Sequence, residues 1–256
     1  MTKTIYLAAA GLAAIAMTSC NGIVKVQSKD DSPEVTKEIT VNETFKGIIT
    51  RCGADVEYTD GPAHITLTAP EDVMKRLEVK VENGDLIVTT KEENSTKSSI
   101  INGFVIGMNY DNDIKLTVSY PGVGSFMTQG SGDIKINSLE RDAVSFTTQG
   151  SGDIEVGTIN STTLSILCQG SGDVTITDAT CQEVSMITQG SGDIKFKEIL
   201  TTTLSALSQG SGDISLAGEA TSAELSTMGS GDIDAQKFKC PDIEVKEKGS
   251  GDVKTR

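Results

Sequence analysis

Apolar and polar residues alternate one by one over short stretches in the second half of the chain. Ile134 and Ile136 flank the polar Lys135, and Ile154 and Val156 stand at the same places in the next repeat of the pattern. A period of two puts one face of a β-strand into a core and the other into water. The β-branched residues and the frequent glycines also disfavour helix. This region is therefore predicted to form short strands with one buried face.

A second set of strands comes before each of these. Val144–Phe146 and Leu164–Ile166 alternate in the same way, and Leu139 and Ile159 lie between the two sets as candidates for a further inward contact. Each repeat thus contains two or three short strands. Strands of this kind cannot bury their apolar faces unless neighbouring copies stack on them.

The copies are marked by a serial motif. Gly-Ser-Gly-Asp followed by Ile or Val occurs seven times, with its aspartates at Asp133, Asp153, Asp173, Asp193, Asp213, Asp232 and Asp252. The intervals are equal except the one before Asp232, which is a single residue shorter. A degenerate copy around Asp113 lies one interval before the first, and weaker echoes include Asp55 and Asp85. A fixed period of this length predicts a β-solenoid with strands about 4.8 Å apart between coils.

We predict an all-β, right-handed parallel β-helix with about 20 residues per coil. The left-handed alternative needs coils of about 18 residues with a six-residue sub-period, which the sequence lacks. The regular coils are expected over residues 113–256, and irregular N-terminal coils and a cap over residues 36–112.

The N-terminus has the pattern of an export signal over residues 1–19. Lys3 precedes an apolar run, Ile5–Ala16, which is shorter than the about 20 residues that a membrane-spanning helix needs. Met17–Cys20 resembles a bacterial lipobox, which implies that Cys20 is lipidated and anchors the mature chain to a membrane. An ordinary secreted protein with a free cysteine is the alternative. Residues 20–35 are predicted to be a flexible tether.

Composition excludes several classes of function. The chain has 22 Lys+Arg against 36 Asp+Glu, a formal charge of -14, so nucleic acid is not expected as a partner. A single histidine, His64, leaves no room for a histidine-rich metal cage, and no cofactor is expected. His64 is predicted to lie in a solvated turn. Aromatic residues make up 4% of the chain, so the core must be mainly aliphatic.

Stacking in register predicts two polar columns. The seven motif aspartates form one, and the second contains Gln129, Gln149, Gln169, Gln189 and Gln209. In a structural interpretation, each carboxylate accepts hydrogen bonds from the turn and the amides bond to one another. In the alternative, the aspartates hold Ca²⁺ between coils, but one aspartate per coil supplies few of the 6 to 8 oxygen ligands that Ca²⁺ takes.

An apolar stripe is predicted at an outward-facing place six residues before the motif aspartate, and it comprises Met127, Leu167, Ile187 and Leu207. Either another part of the chain covers it, or it is a contact between subunits of a homo-oligomer such as a trimer. Cys168 is predicted to be a small inward-facing core residue. Cys181 and Cys240 lie three coils apart, too far for a disulfide.

The serial Gly-Ser-Gly-Asp-Ile copies, the segment from Phe45 to Ile49 and the pairs Asp55–Val56 and Asp85–Leu86 resemble the bacterial family called putative auto-transporter adhesin, head GIN domain, of Bacteroidota-type envelopes. The resemblance covers residues 36–256. It implies a right-handed β-helix of pectin-lyase-like shape on an exported lipoprotein, with an adhesive role and no established catalysis.

Three functions remain open from the sequence. The first is a non-catalytic outer-membrane lipoprotein, at the cell surface or the periplasmic face, that presents repeated side chains to a glycan or protein. The second is a carbohydrate-active enzyme of the pectin-lyase-like type. The third is a structural spacer, which differs from the first only by binding no ligand. Catalysis would need an acid and a base in a non-repeating cluster, whereas these carboxylates repeat evenly. The sequence therefore favours the binding protein over the enzyme.

Overall fold

The computed structural model describes residues 32–91, 99–101, 104–106 and 114–256. The predicted signal segment 1–19, Cys20, most of the predicted tether 20–35, and Asp113 lie outside the described residues. The first described strand includes Glu34 and Val35, so the end predicted for the tether falls inside a strand. No helix in the described ranges is long and apolar enough to cross a bilayer.

Strands dominate the chain. Those of the first half are β1 (Glu34–Glu38), β2 (Gly47–Thr50), β3 (Asp55–Thr59), β4 (His64–Pro70), β5 (Leu77–Glu82), β6 (Asp85–Thr90), β7 (Ser99–Ile101), β8 (Phe104–Ile106) and β9 (Lys115–Ser119). Those of the second half are β10 (Ser125–Thr128), β11 (Ile134–Thr148), β12 (Ile154–Cys168), β13 (Val174–Thr188), β14 (Ile194–Phe196), β15 (Ile199–Ser208), β16 (Ile214–Thr227), β17 (Ile233–Lys239), β18 (Asp242–Glu247) and β19 (Val253–Lys254). A short helix, α1 (Glu71–Met74), follows β4.

The second half stacks in parallel with like residues over like. β11 pairs with β12 and β12 with β13, so that Ile134, Ile154 and Val174 share one column at intervals of one repeat. The chain forms the stacked coils of a β-solenoid of about six turns, which confirms the predicted all-β solenoid. The right-handed sense of its coils stays a prediction.

The repeat that ends at Asp232 is one residue shorter than the others, and the missing residue falls at a corner of the coil. Ile194 pairs with Ile214 before the corner, whereas Ile199 pairs with Gly218 after it, which is one position fewer along the chain. Gly218 has a φ of +124°, and a Cβ there would lie 2.1 Å from the Ile199 carbonyl oxygen. Only glycine fits such a backbone and such an approach. The strands on either side of the corner therefore stay in register.

The start of the array differs from the prediction. β3 lies between β9 and β11, and β2 lies between β6 and β10, all in parallel pairings. The copy that precedes Asp133 in space is thus that of Asp55, and not the degenerate copy that precedes it in sequence. This order places Glu57 opposite Thr117 on one side and opposite Lys135 on the other. The Oε1 of Glu57 also lies 2.6 Å from the Nζ of Lys115, which is opposite Asp55.

Antiparallel strands end the stack on the N-terminal side. β4 pairs with β9 and β1 with β4 on one face, and β5 pairs with β6 on the other. β7 and β8 form a separate two-stranded antiparallel sheet. α1 forms a single helical turn between β4 and β5.

The core runs through the coils and is mainly aliphatic. Its largest side chains include the rings of Tyr58, Phe126 and Phe146, which are buried and follow one another along the stack with centroid distances of 5.1 and 5.9 Å. The Tyr58 hydroxyl donates to the Tyr120 carbonyl oxygen at 2.7 Å, which satisfies its polar end. Outward-facing residues of the same strands are therefore held on a rigid scaffold.

Candidate binding faces

The motif aspartates form a continuous ladder along one face. The backbone N–H of each donates to the Oδ1 of the aspartate in the preceding coil, at 2.7 to 3.0 Å. The ladder starts at Asp55, whose Oδ1 accepts from the Asp133 N–H, and continues to Asp252. Asp55 was missed by the sequence-based ladder because its copy, Gly53-Ala54-Asp55-Val56, is degenerate and out of spacing.

The pKa values of two aspartates in this ladder are shifted in opposite directions. Partial burial, with smaller contributions from Asp133 and Asp173, raises the pKa of Asp153. At the C-terminal end, a hydrogen bond from Lys254 lowers the pKa of Asp232, with its Nζ 2.7 Å from the Asp232 Oδ2. Backbone donors thus offset repulsion along the ladder, and a lysine does so near its end.

The hydrogen bonds also bear on the calcium hypothesis. Among the described residues, no group of three or more His, Cys, Asp or Glu side chains is placed to hold a metal ion. One oxygen of each aspartate from Asp55 to Asp232 is already engaged by the next coil. Each of these aspartates thus serves as a hydrogen-bond acceptor between coils.

The five glutamines form a second ladder on an exposed face. Each Nε2 donates to the Oε1 of the next glutamine, at 2.7, 3.0, 3.0 and 3.1 Å from Gln129 to Gln209. Arg51 in the interleaved N-terminal coil donates its Nε to the Gln129 Oε1 at 2.8 Å and so caps the ladder. A chain of donors in one direction polarises each amide in turn.

Glycines and buried hydroxyls hold the turns between these faces. A Cβ on Gly172 would lie 2.1 Å from the Gly152 carbonyl oxygen, so only glycine allows the coils to approach this closely. The buried Thr148 donates its hydroxyl to the Gly172 carbonyl oxygen at 3.1 Å. Cys168 takes the matching inward place in the next coil, where burial raises its pKa to about 11.

The solenoid with its two ladders matches a known protein family. The family model described as putative auto-transporter adhesin, head GIN domain, matches residues 44–215 and 176–256. The chain belongs to this family. The matched segments include both ladders and the interleaved N-terminal coil. Adhesins act at surfaces, so membership of this adhesin family indicates a cell-surface or envelope protein.

Solved structures support the fold. A putative adhesin from Bacteroides fragilis is 22% identical, with a TM-score of 0.73 over 90% of this chain and 98% of its own. A protein from Parabacteroides distasonis described as a putative lipid binding protein is also 22% identical, with a TM-score of 0.64 over 89% and 98%. A putative adhesin from the same species is 19% identical, with a TM-score of 0.60 over 88% and 98%. No functionally curated protein matches the chain.

The apolar stripe lies on the same outward face as the glutamine ladder of this adhesin-family chain. Its four members are half-buried, and Leu167, Ile187 and Leu207 follow one another in register. Ile49 extends the stripe beyond Met127, and Thr147 interrupts it. Parallel to it runs a column of serines, Ser125, Ser145, Ser165, Ser185 and Ser205. The face therefore presents hydroxyl, aliphatic and amide columns side by side.

The hollows on the described surface are shallow and lined by repeat columns. One of about 380 Å³ is lined in part by Glu183, Glu224 and Glu244. Another of about 540 Å³ contains Arg141, which forms an ion pair with Asp60 at 2.7 Å. Arg141 shares this hollow with Cys181, which, like the other described cysteines, is a free thiol. The carboxyl group of Asp153, whose pKa is raised by burial, belongs to the ladder and lines neither of these hollows.

The sequence context of His64 predicted a solvated turn, but His64 lies in a strand. It begins β4 and is exposed, with its Nδ1 3.5 Å from the Glu38 Oε1. The antiparallel pairing of β4 extends the strand to this residue. Its partner is thus a side chain of the N-terminal edge and lies away from both hollows.

Proposed function

We propose that this chain is a non-catalytic, lipid-anchored cell-envelope adhesin that binds a glycan or protein ligand through its outward face of serine, aliphatic and glutamine columns. The observation that carries the proposal is the even repetition of these columns on a rigid scaffold. A surface of identical groups at regular spacing suits a repetitive ligand, whereas a catalytic site needs unlike groups at one point. Family membership supports the adhesive role.

The anchoring part of the proposal rests on the lipobox-like Met17–Cys20. A lipid on Cys20 would attach the mature chain to the outer membrane, with residues 20–35 between the anchor and the first coil. Single acyl chains bind membranes only marginally, so a multiply acylated cysteine is the chemistry that suits a stable anchor.

Binding is tested with the mature chain on a glycan array and on whole cells. We expect the double variant Gln169→Ala/Gln189→Ala to lose most of the binding, because it removes two adjacent amides from the face. The matched control is Asn160→Ala/Thr180→Ala. It changes two exposed residues that lie opposite each other in β12 and β13, outside the serine, aliphatic and glutamine columns, and it should bind like the wild type. Loss in the control but not in the glutamine variant, or the absence of any ligand, contradicts the proposed face.

Anchoring is tested separately by cell fractionation and protease treatment of intact cells. The wild-type chain should sediment with the outer membrane, and Cys20→Ser should be released. Equal sedimentation of both would contradict the lipid anchor. Sedimentation analysis of the purified chain tests whether the apolar stripe on the outward face is instead a contact between the subunits of a homotrimer.

A further inference from the structure

The outward face carries no charge, although the chain as a whole is acidic. Its serine, aliphatic and glutamine columns contain no Asp, Glu, Lys or Arg over the coils that they share, in a chain with a formal charge of -14. Charges begin beyond the columns, with Arg51 at one end and with Glu224 and Lys246 at the other. A ligand with charged groups along its length would therefore find no partner on this face.

The polar groups of the face are available to a ligand. The hydroxyls of the serine column form no hydrogen bond to any other described residue. Each glutamine from Gln149 to Gln189 uses one N–H and one lone pair of its amide within the ladder. A primary amide has two N–H groups and an oxygen with two lone pairs, so one donor and one acceptor remain on each. The face thus offers uncharged donors and acceptors on both sides of the aliphatic column.

The backbone of the face is already fully used by the fold. The strands of these coils pair in parallel on both sides, from β10 between β2 and β11 to β15 between β13 and β16. An added polypeptide strand therefore has no edge to extend here. A ligand of this face must be recognised by side chains alone.

The size of the face is that of a narrow ligand. Adjacent columns lie about 6.6 Å apart, which is two residues along a strand, and adjacent coils lie about 4.8 Å apart. The three columns therefore cover about 500 Å². Stable protein interfaces bury about 800 Å² on each partner. A second copy of this chain would also bring a second net charge of -14. A globular partner, including a second copy, is therefore disfavoured.

The order of the columns matches the faces and the rim of a sugar ring. A pyranose with equatorial hydroxyls has apolar C–H faces and a polar rim. A ring laid flat on Leu167 or Ile187 covers these half-buried side chains with its C–H groups, which removes apolar surface from water. Its rim hydroxyls then lie toward serine on one side and glutamine on the other. A hydroxyl both donates and accepts, as do the free groups of these columns.

We infer that the ligand of the outward face is a linear, neutral glycan whose rings carry equatorial hydroxyls, and that it lies parallel to the solenoid axis with its rings on the aliphatic column. This inference rests on the proposed function and gives the chemical class of its ligand. Leu167, Ile187 and Leu207 follow one another without interruption, so the coils that carry them form the central contact. Each further coil offers the same groups to the next ring of an extended chain.

The probes are cellohexaose and xylohexaose, which are extended, neutral and equatorially substituted, and they are titrated into the mature chain by calorimetry. The matched charged probe is the β-1,4-linked hexamer of glucuronic acid, in which a carboxylate replaces the hydroxymethyl group of each glucose. We expect saturable binding of a neutral hexamer that does not change between about 0.05 M and about 0.5 M salt, because no ion pair forms. The charged hexamer should bind more weakly by about tenfold or more, because its carboxylates lose water without gaining a partner.

A variant of the aliphatic column tests the position of the rings. Leu167→Thr/Ile187→Thr removes the apolar support, and Thr147 in the same column shows that threonine fits the fold at this place. We expect the affinity for the neutral hexamer to fall about tenfold, because the C–H faces lose their contact. Circular dichroism establishes that the variant is folded.

A variant of the serine column tests the rim. Ser165→Ala/Ser185→Ala removes two hydroxyls that no described residue uses, so the fold should be unaffected and the affinity for the neutral hexamer should fall about tenfold. The matched control Thr175→Ala/Ser215→Ala removes the hydroxyls of two half-buried residues that follow the aspartate turn, outside the three columns. It should bind like the wild type.

The outcomes separate this inference from the proposed function. If neither neutral hexamer binds while another ligand still depends on Gln169 and Gln189, the inference is overturned and the proposed face stands. If no ligand depends on this face, both are overturned. Equal or tighter binding of the charged hexamer, or unchanged affinity in Leu167→Thr/Ile187→Thr, overturns the inference. An oligomer that this variant dissociates would assign the face to a second copy and overturn both.

Discussion

A motif aspartate in this solenoid is both a repeated charge and a repeated hydrogen-bond acceptor. Its Oδ1 accepts the N–H of the next aspartate, so an acceptor is needed at each level, while the charge adds repulsion between levels. The raised pKa of Asp153 shows that the burial and repulsion outweigh the hydrogen bond. At Asp153 the acceptor therefore stabilises the fold, and the negative charge opposes it.

Two substitutions at Asp153 separate these effects. Asp153→Asn keeps an acceptor and removes the charge, so we expect it to be at least as stable as the wild type at neutral pH. Asp153→Ala leaves the Asp173 N–H without its partner and should lose about 1 kcal/mol of unfolding free energy. Urea denaturation followed by circular dichroism measures both.

The pH dependence follows from the direction of the pKa shift. A raised pKa means that the folded state binds a proton more tightly, so the wild type gains stability relative to Asp153→Asn as the pH falls through that pKa. The advantage of Asp153→Asn should shrink between neutral pH and about pH 4. An Asn variant as unstable as the Ala variant at neutral pH would contradict this account.

At the scale of the element, glycines in the turns and alternation in the strands determine how coils stack. The alternation could be predicted from sequence because one face of each strand is buried, as Ile134 and Ile136 illustrate. The interleaving of β2 and β3 could not, because their copy of the motif has Cys52 and Ala54 at the two glycine places and lies far away in sequence.

Gly172→Ala tests the close approach of two coils. The added Cβ would meet the Gly152 carbonyl oxygen at 2.1 Å, so the coils must separate locally, and we expect a loss of about 2 kcal/mol or more. Ser171→Ala in the same exposed turn should change stability by less than about 0.5 kcal/mol. Thermal unfolding of the two variants checks the difference, and similar losses would be inconsistent with a steric role for the glycine.

At the scale of the whole molecule, the solenoid is a sum of nearly equal layers, each in contact with its neighbours. The constant period of the motif was enough to predict this architecture from the sequence. The N-terminal end was less predictable, because antiparallel strands close it and these strands do not repeat, so no periodicity indicates their geometry.

Removal of one whole layer tests the register. Deletion of residues 174–193 joins Asp173 to Ile194 and should give a folded chain with a lower melting temperature, because one set of interlayer contacts is lost. Deletion of residues 174–183 removes half a coil and brings turn residues opposite strands, so it should not fold cooperatively. Far-ultraviolet circular dichroism during heating distinguishes the two, and equal behaviour would contradict layer-by-layer stacking.

The insertion of β2 and β3 between strands that come later in the chain has a consequence for biogenesis. Synthesis from the N-terminus makes residues 47–59 available early, yet both edges of this segment are paired only after residues 85–88, 115–119 and 125–136 have been made. Contacts so distant in sequence form slowly. Residues 47–59 therefore remain unpaired at first, and assembly is expected to begin within the later coils.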